Sequence, residues 1–328
     1  MMQKYHFLGS ILAGIGLLIL IFDSRLALEG AGTGIDLCIK TVIPSLFPFF
    51  VLSMILTKGL GDCIPDPLQK LGLMLGIPAS GISVLIPAFL GGYPVGANCI
   101  GDLYRNNHIS KEDAQRMLAF CSNAGPSFLF GMVSGFFPEQ KTVWLLWMIH
   151  ICSAVLTASA IPFEKSRDTV QNPSQTSRHA DTILPAARAM ALVCCWVVLF
   201  RVLIAFLDAW FFRRLPVWLQ VLLMGALELT NGCCALPMIA DANLRFLLCS
   251  CMLSFGGICV LFQTASVTKG LSLACYIKGK LMQTLFSFLL SCAIVLDRGW
   301  YFAIFLPLCV ILFRKAQNRY GNPGILPV

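Results

Sequence analysis

The sequence predicts an all-α, polytopic membrane protein of two inverted repeats with broken, re-entrant helices. Three observations carry this. The 328 residues are 57% hydrophobic and only 12% charged, with a mean hydropathy of +0.79, whereas a soluble domain carries about 25% charged residues. The apolar residues gather into runs near the roughly 20 residues that a helix needs to cross a bilayer. Finally, helix-breaking clusters seeded with polar residues interrupt those runs: Gly-Gly-Tyr-Pro-Val-Gly at 91–96 and Ser-Asn-Ala-Gly-Pro-Ser at 122–127. Backbone freed by such a break is tolerated in a bilayer only against protein or a water-filled cavity. A pair of broken helices near mid-membrane is also how many transporters build a substrate site. One cluster alone reads as a packing kink, because Gly and Pro are common in transmembrane helices. Two clusters separated by a polar loop, and echoed later in the chain, favour a site.

The net charge of +8 does not point to nucleic acid, because the basic residues lie mostly in short loops and the tail, where they act as topology signals. The 15 cysteines sit singly or as neighbours inside apolar runs (Cys38, Cys121, Cys152, Cys194, Cys195, Cys233, Cys234, Cys249 and Cys251 among them). They read as small buried hydrophobes, and their membrane context excludes a secreted disulfide framework. The sequence holds no metal motif and no cofactor motif.

The elements follow in order. Residues 1–34 hold a first transmembrane helix, apolar from Phe7 to Phe22, with the N-terminus expected in the cytoplasm. Residues 35–163 form the first repeat. Its opening span, 35–56, is made irregular by Lys40, Pro44 and Pro48. A polar loop (58–70) follows, then an apolar stretch (71–90) leading into the first break. A polar segment (101–109), with His108 as a solvated residue, ends at Ser110, an N-cap with Asp113 three positions on as in a capping box. Ala114, Met117, Leu118 and Cys121 share one face by their spacing of three and four, carrying this helix into the second break. Residues 142–163 form a clean span with His150 its one titratable group. Residues 164–182 read as a linker.

The second repeat, 183–296, runs in the same order. An apolar span (183–206) is followed by 217–227 leading to the polar break Glu-Leu-Thr-Asn-Gly at 228–232. Residues 243–253 lead to Ser-Phe-Gly-Gly at 254–257, and a span is expected at 281–296. Residues 297–328 are an apolar helix and a basic tail with Arg314, Lys315 and Arg319. Such weak internal symmetry is expected of transporter repeats.

Candidate binding residues are Gly92, Tyr93, Ser122, Asn123, Gly125, Ser127, Arg201, Glu228, Thr230, Asn231 and Ser254. Tyr93 offers an aromatic face and a hydroxyl; Ser122, Asn123 and Ser127 offer donors and acceptors beside the exposed backbone of Gly125. A few polar groups among apolar and aromatic walls is the usual make-up of a ligand site. Glu228 and Arg201 lie inside apolar sequence, and an intramembrane charge faces a cavity or a partner because lipid exposure is costly. Either they pair with each other or snorkel, or Arg201 attracts an anionic substrate while Glu228 holds a proton or orients the polar site. Arg201 is therefore expected to face the interior, near the cavity or Glu228. No nucleophile–base arrangement, His-rich motif or phosphate-cradling loop occurs, so an enzyme is not expected.

The clusters at 91–97, 120–126 and 227–232 resemble the nucleoside-recognition (Gate) family of membrane proteins, and more closely its sporulation integral membrane protein branch, the YlbJ or stage V type. The resemblance covers about 35–296. It implies a spore-former, two inverted Gate repeats, and export of dipicolinic acid from the mother cell across the outer forespore membrane. Three functions compete: a transporter of a small anionic or polar metabolite, a non-transporting scaffold or sensor in sporulation, and a nucleoside permease. The intramembrane polar clusters favour the first. Expected partners are a small-molecule substrate and the lipid bilayer, with no nucleic acid; a homo-oligomer is left open.

Overall fold

The computed structural model describes residues 2–60, 64–162 and 183–297, which among themselves form helices and turns and no strand. The linker read at 164–182, the apolar run at 300–313 and the basic tail lie outside the described residues.

Helix α1 (Met2–Phe22) is followed at once by α2 (Ser24–Leu37), which Asp23 caps by accepting from the Leu26 N–H at 3.0 Å. A π-turn (Cys38–Val42) joins α2 to α3 (Ile43–Leu60), and the three run on as a span of 33 residues, Ser24–Leu56. The expected start at 35 is thus too late. The cap at Asp23 opens the helix earlier, and the small residues Gly30 and Gly34 let α2 lie against Val202 and Val198.

A second correction concerns the loop read at 58–70. Its latter part belongs to α4 (Asp66–Met74). Pro65 at the cap, Pro67 just inside and Asp66 in the first turn supply the usual start of a helix. With Ala79–Gly91, α4 forms a pair bent by 107°, the geometry of a broken span or a re-entrant loop.

Next come α5 (Val95–Arg105), α6 (Lys111–Leu118), α7 (Pro126–Gly131) and α8 (Gln140–Ala160). Ser110 caps α6 as its sequence implies: its hydroxyl accepts from the Asp113 N–H at 3.1 Å and donates to the Asp113 carboxylate at 2.8 Å. Ala114, Met117, Leu118 and Cys121 are all fully buried. Ser110→Ala is expected to remove roughly 1 kcal/mol of stability, read as a lower unfolding midpoint in detergent; an unchanged midpoint would deny the cap any weight. The Arg116 guanidinium, buried on the same helix, donates to the carbonyls of Leu75, Gly76 and Ala158 at 2.8–3.1 Å, clamping α6 to the preceding turn and to the end of α8.

The second half comprises α9 (Ile183–Trp210), α10 (Val217–Leu227), α11 (Leu229–Ala235), α12 (Ala242–Phe255), α13 (Gly257–Val267) and α14 (Ala274–Val295). Here a third correction arises: the last described span begins at Ala274, not 281, and takes Lys280 into its interior. Interruptions at Gly92 and Gly125 precede α8, and interruptions at Glu228 and Gly256 precede α14. Among the described residues five helices are long and apolar enough to cross a membrane, or six with the bent pair.

Helices α8, α12 and α14 pack together at the centre, α14 also against α6, and α13 rests on α5, α9 and α10. Serine hydroxyls tie α12 to α14: Ser250 lies 2.7 Å from both Ser287 and Ser291, and all three are buried.

Candidate functional site

The breaks meet. Gly92 ends the first with φ +80°, which an L side chain rarely adopts, and a Cβ added there would stand 3.1 Å from the Gly125 nitrogen of the second. The break of the second half at Gly256, a left-handed C-cap to α12, closes over Tyr93: a Cβ on Gly256 would lie 3.1 Å from the tyrosine hydroxyl. The Tyr93 hydroxyl donates to the Leu253 carbonyl at 3.2 Å, crossing from one half to the other.

Glu228, the fourth break, is N-cap to α11. Its carboxylate accepts from the Thr230 N–H at 3.0 Å and from the Asn231 N–H and side-chain amide, both at 2.7 Å. Glu228 and Thr230 share a cavity with Tyr93, Ala124 and Gly125, and Gln263 of α13 reaches the same space. Val193 and Val197 of α9 are part of its apolar wall. Its free volume is about 30 Å³, room for a water or two.

Behind Tyr93 lies a polar network centred on α14. The Lys280 ammonium, 2% exposed, donates to the Tyr93 hydroxyl at 2.9 Å, to the Gln283 carbonyl oxygen at 2.8 Å and to the Ser122 backbone carbonyl. Its three hydrogens are thereby used. Gln283 donates in turn to the Asn123 side-chain oxygen at 3.0 Å, and the Asn123 amide donates to the Phe120 carbonyl at 2.7 Å. His150 of α8 joins the two halves. Its Nε2 accepts from the Ala124 N–H at 3.0 Å, and its Nδ1 lies 3.3 Å from the Ser254 hydroxyl. Because a backbone N–H only donates, Nε2 is the bare nitrogen and Nδ1 carries the hydrogen toward Ser254.

The candidate residues therefore divide. Gly92, Tyr93, Ser122, Asn123, Gly125, Glu228, Thr230 and Ser254 gather at the centre. The Asn231 side chain is spent on Glu228, and the buried Ser127 hydroxyl finds no hydrogen-bond partner. Arg201 is half-buried, one turn along α9 from Val197, with its Cβ against α2 at Gly34. Its Nε is buried without a hydrogen-bond partner. It makes no ion pair with Glu228, which corrects the pairing alternative. The cause is that the start of α11 already supplies three N–H groups to that carboxylate.

Sequence reasoning missed Lys280, Gln283 and Gln263, and took His150 for a mere titratable group in a span. One signal was available: Tyr276, Lys280, Gln283, Ser287 and Ser291 recur at intervals of three and four, a polar stripe along an otherwise apolar helix, and all five are buried. Polar groups so placed face protein, not lipid. The described cysteines are free, but the reading as buried hydrophobes holds only for Cys38, Cys121, Cys233, Cys249 and Cys259; Cys195 and Cys234 are exposed and the rest half-buried.

Fold and site together define an all-helical, multi-pass membrane protein whose interrupted helices close around a polar centre. The chain is similar to the sporulation integral membrane protein YlbJ of Bacillus subtilis (strain 168), 26% identical over 75% of this chain and 72% of that protein. This bears out the resemblance to the YlbJ type. No family model matches the chain, and no solved structure does.

Proposed function

We propose that this protein is a transporter of a small anionic or polar metabolite acting in spore maturation, with dipicolinic acid, moved from the mother cell across the outer forespore membrane, as its substrate. The observation that carries the reading is the meeting of four helix interruptions, at Gly92, Gly125, Glu228 and Gly256, around one small cavity walled partly by Tyr93, Glu228 and Thr230. Interruptions serving only to bend helices have no reason to converge. The similarity to a sporulation membrane protein supports the setting. At about 30 Å³ the cavity is smaller than any such metabolite, so in this reading the structure is a closed state. The repeats at 35–163 and 183–296 would part at their breaks to admit substrate.

The test is uptake into vesicles bearing the purified protein, with labelled dipicolinate, a benzene monocarboxylate and a nucleoside offered in parallel. Dipicolinate uptake well above that of protein-free vesicles is the expected result. Uptake of the nucleoside alone would move the chain to the permease reading. A correctly inserted protein that moves none of the three would end the transport reading in favour of a scaffold or sensor.

A further inference from the structure

Lys280 has no counter-charge. Among the described residues no carboxylate pairs with it, and the buried Glu228 is occupied by the start of α11. A buried ammonium without an anion is costly, because desolvation is offset only by a close opposite charge and further hydrogen bonds. Hydrogen bonds Lys280 has; the opposite charge it lacks.

Beside it are three buried hydroxyls with only one another to bind. The Tyr276 hydroxyl faces those of Thr264 and Ser122 closely enough for weak mutual contacts, yet none of the three has a partner at full hydrogen-bond geometry. All are at most 2% exposed. Tyr276 lies one turn before Lys280 on α14, the ammonium stands 5.9 Å from its ring centroid, and Ser122 presents its carbonyl to the same ammonium. Unpartnered buried polar groups call for a reason. A cluster of hydroxyl donors beside an uncompensated cation is suited to one class of guest, a small anion such as a carboxylate. Tyr93 connects this cluster to the cavity: it lines the cavity wall and accepts from Lys280.

Resting on the transport reading above, we infer that Lys280, with the hydroxyls of Ser122, Thr264 and Tyr276, is the anion-recognition site of this protein, and that a substrate carboxylate supplies the missing counter-charge. Arg201, a turn beyond the cavity wall, does not have this role. The site lies across the second break (Ser122), α13 (Thr264) and α14 (Tyr276, Lys280). An anion seated there would therefore bridge the two halves.

The experiment is equilibrium binding of labelled pyridine-2,6-dicarboxylate to the purified full-length protein in detergent, with the unfolding midpoint measured on each variant. Tyr276→Phe and Thr264→Val remove hydroxyls that make no well-formed hydrogen bond in the fold. These variants should unfold no earlier than the parent, yet bind the dicarboxylate roughly tenfold more weakly, as expected for lost hydrogen bonds to a charged group. Lys280→Met should weaken binding by about 100-fold or more; should that variant not fold, the two hydroxyl variants decide. Parent-like binding by folded Tyr276→Phe and Thr264→Val, or loss in Arg201→Gln with retention in Lys280→Met, would overturn the assignment while leaving anion transport standing. A parent protein that binds no anion overturns both.

Discussion

Glu228→Ala is expected to cost the fold about 3 kcal/mol or more, the largest loss from any one side chain at the centre. The carboxylate accepts from two backbone N–H groups and one side-chain amide, all buried. Alanine leaves all three donors orphaned, and a buried donor without a partner costs roughly 1–3 kcal/mol. Water entering the adjoining cavity would recover part of this, so the sum is not reached. Glu228→Gln keeps one acceptor oxygen and should retain part of the stability. Thermal unfolding of the three proteins in the same detergent measures this. Equal midpoints for parent and Glu228→Ala would refute the account of Glu228 as the group that holds α11 in place.

Gly96→Ala should have an effect of similar size for a different reason. A Cβ at Gly96 would overlap the Cys121 carbonyl oxygen and stand 2.9 Å from the Ala88 Cα. Both obstacles are backbone, so no side chain can swing away, and overpacking of this sort costs roughly 1–3 kcal/mol, occasionally more. The damage should also spread, because Cys121 leads directly into the second break. The contrast is Gly135→Ala, where a Cβ meets nothing within 4 Å and the change should stay within about 0.5 kcal/mol. Similar midpoints for the two variants would mean that α5 and the second break are not packed as tightly as the structure has them.

The breaks were legible because Gly and Pro beside polar residues inside apolar sequence have few other uses. Gly92, Asn123, Glu228 and Ser254 announced themselves in this way, and the cap at Ser110 followed from its spacing to Asp113. What the breaks would touch was not legible. The approach of Gly92 to Gly125, and of Gly256 to Tyr93, depends on how separate segments pack, which no local pattern records. Lys280 was lost to a sound rule misapplied: a charge marks the end of a span when its surroundings are lipid. Here three protein acceptors replace water, and the span runs past it. Arg201 drew attention for the opposite reason, as the conspicuous charge in an apolar run. Yet its burial at the side of α9 is only partial, and the cation buried at the centre is the lysine.

The shortness of the interrupted pieces bears on how the protein is made. α7 has six residues, α11 seven and α10 eleven, against the roughly 20 that carry a helix across a bilayer unaided. None can enter lipid alone, because its free backbone ends would have no partners there. The long spans, α8, α9, α14 and the stretch Ala242–Val267 formed by α12 and α13, must therefore be seated first. The short pieces drop between them afterwards, finding their hydrogen bonds in walls already standing. The packing of the first two breaks is complete only with α14 in place, because Lys280 bonds to both of them.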